Sequence, residues 1–358
     1  MDHVVLHVTD RCNLNCQHCL RDPGGGPLDL PLETIVRVLD QLVAYRIKSV
    51  SLTGGEPLLH PQLSEIVDAI VARELGWSII CNASRFEDLA ALLRERKERR
   101  AALKFVGFSL DGATEETHDR IRGAGSHLEV MRAIARCVAD EIPFALQMAI
   151  NRANRHEIEA YGLQAAQLGA DFVRYSWTQP TGTHYDATLR LSPREWVTVR
   201  DTVARMKDVL RVDVDSAAGF PMKVAFVNCG VWSNLHPHLT ADGQYSLCCA
   251  LSGTPGESGL SDRLGDALEV PLSEAHLRMS DLVNELRKRR IRAIHEGEMD
   301  PWDELPCNWC AKQFGRPHWT KDGVGGGEAE RPRWRGAWAG GATGARPGSR
   351  VRLPVVDK

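Results

Sequence analysis

The sequence predicts an α/β protein built as a partial (β/α)6 TIM-like barrel, and three observations carry that prediction. Six short apolar runs recur along the first half of the chain: Val4 to Val8, Ser49 to Thr53, Ser78 to Cys81, Phe105 to Leu110, Ala145 to Ile150 and Phe172 to Ser176. Amphipathic segments separate them; Leu32, Ile35, Val36, Leu39, Leu42 and Val43 repeat at helical spacing, as do Leu63, Ile66, Val67 and Ile70. Strands that alternate with helices make a parallel sheet, and right-handed crossovers curl it toward a barrel.

The first strand runs into CNLNCQHC, which holds Cys12, Cys16 and Cys19 beside Asp10, Asn13 and Asn15. Three thiolates within eight residues cannot close a tetrahedral zinc by themselves. An iron-sulfur cluster held by three thiolates keeps one iron open. A zinc completed by His18 is the competing reading. Loops after barrel strands are where such enzymes keep reactive groups. Asp22 to Pro27, DPGGGP, then reads as a flexible loop.

The second strand ends in Gly54, Gly55, Glu56 and Pro57. Adjacent glycines permit close backbone approach and a carboxylate suits an ammonium, although Gly-Gly by itself is most often a turn. Asn82 follows the third strand as Cys81-Asn82-Ala83. The fourth ends in Phe108-Ser109-Leu110-Asp111-Gly112, followed by His118-Asp119-Arg120-Ile121-Arg122-Gly123. Ser109 and Arg122 are candidate cofactor contacts, with a capping or surface role as the alternative.

The Cys-x3-Cys-x2-Cys loop followed by GGEP resembles the radical S-adenosylmethionine (SAM) superfamily, and SLDG with HDxxRG is similar to one large branch of it. The resemblance implies a six-stranded open barrel and a 4Fe-4S cluster on Cys12, Cys16 and Cys19. It further implies SAM held near Gly54, Gly55, Glu56, Pro57, Asn82, Ser109 and Arg122. His18 stands where that family carries an aromatic residue and is read as a cofactor neighbour, not a ligand. Ala83 departs from the family's Thr-Asn-Gly.

A second set, Cys229, Cys248, Cys307 and Cys310, combines a lone cysteine, Gly243-x4-Cys248 and a C-x-x-C pair. Read alone it suits a structural zinc or a closed cluster, with zinc slightly favoured. Behind a radical SAM barrel it resembles the small C-terminal twitch auxiliary-cluster domain of the SPASM/twitch group, which implies a second 4Fe-4S cluster. Cys81 and Cys137 read as core packing. Cys249 directly follows a proposed ligand; it is a candidate hydrogen-atom donor, and the alternatives are packing or ligation in place of Cys248.

With 358 residues, 43% hydrophobic and 25% charged, the composition is that of a globular protein. A net charge of -3 argues against nucleic acid as partner. No run near 18 apolar residues argues for a membrane span, and no leader is evident, so ten cysteines imply metal or redox chemistry in the cytoplasm. The expected organisation is a barrel over residues 1–182, leaving by Pro180-Thr181-Gly182. Linker helices and the auxiliary domain occupy 183–322, and a disordered tail 323–358.

The resemblance extends over roughly residues 3 to 315 to aminoglycoside epimerases of the neomycin C type in antibiotic biosynthesis, and to deoxy-scyllo-inosamine dehydrogenases. It implies an epimerase in which a 5′-deoxyadenosyl radical removes hydrogen from a small, cationic aminoglycoside-like substrate and Cys249 returns it. The alternatives are a dehydrogenase oxidising an aminocyclitol or sugar alcohol, and an enzyme modifying ribosomally made peptides (RiPPs). The peptide class is disfavoured because it usually brings an N-terminal leader-binding module. Glu296, Glu298, Asp300, Asp303 and Glu304 are candidate carboxylates for a polyamine, or else a solvated acidic loop. An external electron donor such as flavodoxin or ferredoxin is implied as partner.

Overall fold

A computed structural model describes residues 3–19, 28–178, 187–216, 229, 231–232, 237–249, 251, 260–299, 303 and 306–315. Contacts divide the chain into Met1–Asp322 and Gly323–Lys358. The expected tail, the Asp22–Pro27 loop and the boundary at residue 182 lie outside the described residues.

The strands are β1 (His3–Thr9), β2 (Ser49–Gly54), β3 (Gly76–Cys81), β4 (Leu103–Ser109), β5 (Phe144–Ile150), β6 (Phe172–Trp177), β7 (Asp213–Ser216), β8 (His238–Leu239), β9 (Gln244–Ser246) and β10 (Arg263–Asp266). The helices between β1 and β7 are α1 (Leu32–Ala44), α2 (Leu63–Val71), α3 (Phe86–Glu95), α4 (Lys97–Ala102), α5 (Glu115–Arg122), α6 (Ser126–Ala139), α7 (Ile158–Leu168) and α8 (Pro193–Val209). After β10 come α9 (Leu272–Glu296) and α10 (Pro306–Gln313).

Strands β1 to β7 lie side by side in chain order, each parallel to the next. Strand register sorts their side chains into two rows, because successive residues point to opposite faces. Leu6, Leu52, Ile79 and Val106 are aligned across four strands and are all fully buried. Against this apolar face pack Ile35, Val38, Leu39 and Leu42 of α1 and Ile66, Val67 and Ile70 of α2. Each such side chain contributes about 1.5–3 kcal/mol relative to exposure. The opposite row is more polar: Val5 aligns with Ser51, Ser78 and Phe105, and the Ser51 and Ser78 hydroxyls hydrogen-bond each other.

Two features exceed the six expected strands. Strand β7 adds a seventh parallel neighbour to β6, and β8 to β10 extend the sheet beyond β1 through Leu6 opposite Leu239. At two to four residues each, β7 to β10 are too short to show a period-two pattern. Cys81 and Cys137, 2% and 0% exposed, sit in the core.

Candidate functional site: a three-thiol loop at the mouth of the sheet

The loop after β1 is held by its own polar residues. The Thr9 hydroxyl donates to Asp29 Oδ1 at 2.6 Å and accepts from the Arg11 amide at 3.0 Å, while Arg11 Nε donates to the Asp29 carboxylate. The loop then runs against the end of β2, where the Gly55 amide donates to Thr9 O at 2.7 Å and the Glu56 amide to Arg11 O at 2.6 Å. A β-carbon on Gly54, which sits at φ +154°, would stand 2.2 Å from Thr9 O; one on Gly55 would stand 2.2 Å from Arg11 O. The two glycines let the thiol-bearing loop approach the end of β2 closely, which sets where Cys12 begins.

Glu56 is fully buried. Its Oε1 accepts from the Leu58 amide at 3.1 Å and its Oε2 from the Asn82 amide at 2.7 Å, which ties the end of β2 to the end of β3. Burial raises its pKa to about 7 against the opposing pull of those two amides and Arg122. Asn82 in turn donates from Nδ2 to Asn13 Oδ1 at 3.0 Å and accepts from the Ser84 amide and hydroxyl. Asn13 Nδ2 closes the circuit on Ser84 Oγ at 2.8 Å, so the thiol loop is pinned to β3 as well. Ala83 stands at φ +70°, the left-handed region where glycine is favoured, and that accounts for the family's glycine at this position.

Asp111 is the hub of the site, and sequence reading quoted it only as a letter of SLDG. It is fully buried two residues beyond β4. Its Oδ2 receives His18 Nε2 at 2.6 Å and Arg122 Nε at 2.5 Å, and its Oδ1 accepts from the Ala149 amide at 2.7 Å. Burial alone would raise this carboxyl; Arg122 and His18 overcome it and hold the pKa well below the carboxylate range. The Asp111 amide donates to His118 Nδ1 at 3.0 Å, and burial with Arg122 lowers the His118 pKa to about 4, which keeps that ring neutral. Two candidate cofactor contacts, His18 and Arg122, thus meet one internal carboxylate. Ser109 is half-buried at the last position of β4, aligned with Gln147.

Arg122 also reaches the thiols, with Nη1 3.9 Å from Cys16 Sγ. Cys16 is buried; desolvation lifts its pKa to about 11, Arg122 opposes that rise, and the nearby Cys19 and Cys12 add to it. Three mutually coupled thiols with a guanidinium beside the most buried one fit an anionic cluster, because that cation favours thiolate. Cys19 is turned back by its amide bond to Cys16 O at 3.0 Å, and Gln17 is tied to α5 through Ile121 O at 3.0 Å.

The second thiol set also converges: desolvation pushes the pKa of the half-buried Cys307 up, and Cys229, Cys248 and Cys310 each add to that rise. Around it Trp232 and Trp309 meet edge to face at 6.0 Å, and the Arg290 guanidinium lies 5.4 Å from the Trp309 ring. Arg290 also donates to Asp303 O at 3.0 Å. Cys248 is half-buried and faces Cys307, whereas Cys249 is exposed. Among the described residues no three His, Cys, Asp or Glu side chains stand at the spacing of one bound ion.

Three of the five candidate polyamine carboxylates are described. Asp303 is buried and takes Lys312 Nζ at 3.0 Å, and Glu296 and Glu298 are exposed. Asp300 and Glu304 lie outside the described residues.

Residues 6–161 match the Radical SAM superfamily model. The mycofactocin maturase MftC of Mycobacterium tuberculosis is 31% identical over 198 residues, covering 53% of this chain and 48% of that protein. The sporulation killing factor maturation protein SkfB of Bacillus subtilis is 28% identical over 275 residues, covering 73% and 63%. The chain therefore spans about half the length of the first of these relatives and somewhat under two thirds of the second. In fold it is similar to Streptococcus suis SuiB bound to S-adenosylmethionine, with a TM-score of 0.62, 12% identity and coverage of 75% of this chain and 64% of that one. No helix among the described residues is long and apolar enough to cross a membrane. By the family match over residues 6–161, the parallel sheet and the three-thiol loop, this part of the chain is similar to the radical SAM superfamily.

Proposed function

We propose that this chain is a radical SAM enzyme that modifies a peptide. The observation that carries this reading is its similarity to proteins named as maturases, MftC and SkfB, in place of the aminoglycoside epimerases expected from sequence. The shared fold with SuiB, which has been seen bound to its precursor peptide SuiA, agrees with it. A cationic sugar has less support, because Asp303 is turned inward onto Lys312.

Cys12, Cys16 and Cys19 would hold the SAM-binding 4Fe-4S cluster, and Cys229, Cys248, Cys307 and Cys310 an auxiliary one. When bound, the first cluster and SAM supply a 5′-deoxyadenosyl radical that removes a hydrogen atom from substrate carbon. Gly54 and Gly55 admit the thiol loop against β2, while Glu56 and Asn82 fix its position over β3. Asp111, Arg122 and His18 hold its far side, and Arg122 places its positive charge beside Cys16, which favours the thiolate. A structural zinc on the second set is the alternative, since four thiolates also close a tetrahedral site.

A second reading concerns how the radical is quenched, and the exposed Cys249 beside the inward-facing Cys248 favours it. An exposed thiol there suits return of a hydrogen atom to carbon, giving inversion, on a peptide or on the small-molecule substrate of an epimerase. The test is turnover of reconstituted enzyme with SAM, dithionite and precursor peptides in deuterated water, read by mass spectrometry. The peptide reading expects a modified peptide together with 5′-deoxyadenosine; if aminoglycosides are converted and peptides are untouched, it fails. A single solvent deuterium at an inverted carbon marks the epimerase outcome, and loss of two hydrogens a dehydrogenase.

A further inference from the structure

N–H groups gather on the second thiol set. The backbone amides of Val231 and Trp232 donate to Cys229, and the Trp232 indole donates to Cys310, with the Arg290 guanidinium acting on that same thiol. All of these lie between Cys229 and Cys310 in the chain. Trp177 does not: it is the last residue of β6, aligned with Ile150 of β5 in the parallel sheet.

Trp177 is 6% exposed and packs edge to face on Trp196 of α8, with ring centroids 5.8 Å apart. The strand end behind it is fixed, since the amide and the hydroxyl of Thr178 both donate to Ile150 O, at 3.2 and 2.7 Å. Its indole lies next to the Cys307 thiol and favours ionisation of that thiol. At full hydrogen-bond geometry, however, Nε1–H meets no acceptor among the described residues. A buried indole N–H ordinarily has a partner, so an unmet one beside a proposed ligand thiol marks a contact that the neutral thiol does not complete.

We propose that Trp177 is a positioning residue for the group held on the second thiol set: its indole N–H donates to the Cys307 thiolate or to a cluster sulfide there, and raises the reduction potential of that cluster. The proposal rests on the auxiliary-cluster reading above. Reduction adds negative charge to the cluster sulfurs, so an N–H donor favours the reduced form. Groups that bond to the ligands from outside also fix their orientation, and here that group is carried by the end of a sheet strand.

The test is made on reconstituted full-length Cys16→Ala, in which the first cluster cannot be held and the second gives the signal. Its midpoint potential is read by electron paramagnetic resonance during a redox titration, with and without Trp177→Phe. The change keeps a ring against Trp196 and removes the N–H. The reduction equilibrium is expected to shift about tenfold toward the oxidised form, about 59 mV for a one-electron couple, and the reduced cluster to lose one exchangeable proton coupling. Replacing the Trp177 side chain by benzothienylalanine, which puts sulfur where the N–H stood and keeps the ring shape, is expected to give the same shift. It also judges alone if Trp177→Phe does not fold. An unchanged potential and proton coupling in the benzothienyl protein overturn the proposal, because any shift in Trp177→Phe would then be a packing effect. Zinc on the second set with no cluster is a failure of the auxiliary-cluster reading instead. The donor role is then judged on the zinc protein, where the indole N–H resonance that the benzothienyl protein lacks is expected to move between apoprotein and zinc-loaded protein; an unmoved resonance overturns it.

Discussion

Arg122 and Asp111 form a buried ion pair, with Nε 2.5 Å from Oδ2, in which one side chain is 12% exposed and the other 0%. The pair joins the end of α5 to the segment after β4, and through Cys16 and His18 it reaches the thiol loop on two sides. Replacing one partner leaves an uncompensated charge in a dry place, which costs far more than an intact pair contributes.

Asp111→Asn is therefore expected to destabilise the fold by roughly 3–5 kcal/mol and to lower iron incorporation, measured by denaturant unfolding and iron content. Because the folded pKa of Asp111 is depressed, its contribution is present above the ordinary aspartate pKa and is lost as pH falls through that value toward the folded one. A stability unchanged by the substitution would remove Asp111 from the account.

Gly55→Ala pushes a β-carbon toward Arg11 O. Backbone cannot yield there without moving Cys12, so the variant should fold, lose about 1–3 kcal/mol and bind less iron per chain. Full iron content in this variant would show that the loop position does not depend on the glycine.

Glu56 carries a pH signature of opposite sign. Its folded pKa, raised to about 7, lies above the ordinary glutamate value of 4.5, so the folded state holds the proton more tightly. Stability from this group is fully present below about pH 4.5 and declines as pH rises to about 7, by on the order of 3 kcal/mol. Urea unfolding of the wild type and Glu56→Gln across that range checks it; the variant should lose the slope.

Cys248→Ala and Cys249→Ala should separate cleanly. The first removes a thiol that faces Cys307 and is expected to lower iron content by about half. The second should keep its iron and still yield 5′-deoxyadenosine while failing to return hydrogen to the product. Equal iron loss in both would contradict the distinct placement of the two thiols.

Much of this was legible in the chain because the central strands are long. β1 to β6 each span six or seven residues, enough for burial and spacing to mark them, and the observed ends lie within two residues of those expected. The short β8, β9 and β10 carry no such pattern; β8 is placed by pairing with the distant β1, and β9 and β10 follow it as antiparallel neighbours. The thiols were legible as motifs; the role of Asp111 was not, because His18 and Arg122 stand 93 and 11 residues away from it. Glu56 was legible by type as a carboxylate for an ammonium, but not as an acceptor for the Leu58 and Asn82 amides, because those contacts depend on where β2 and β3 end.

The most direct measurement is 5′-deoxyadenosine released per chain after anaerobic reconstitution with iron and sulfide, with SAM and dithionite, for the wild type and for Cys16→Ala. The account predicts reductive cleavage by the wild type and none by the variant, with the variant still holding the iron of the second thiol set. Cleavage that survives the loss of Cys16, or a wild type that binds iron on both sets and never cleaves SAM, would contradict it.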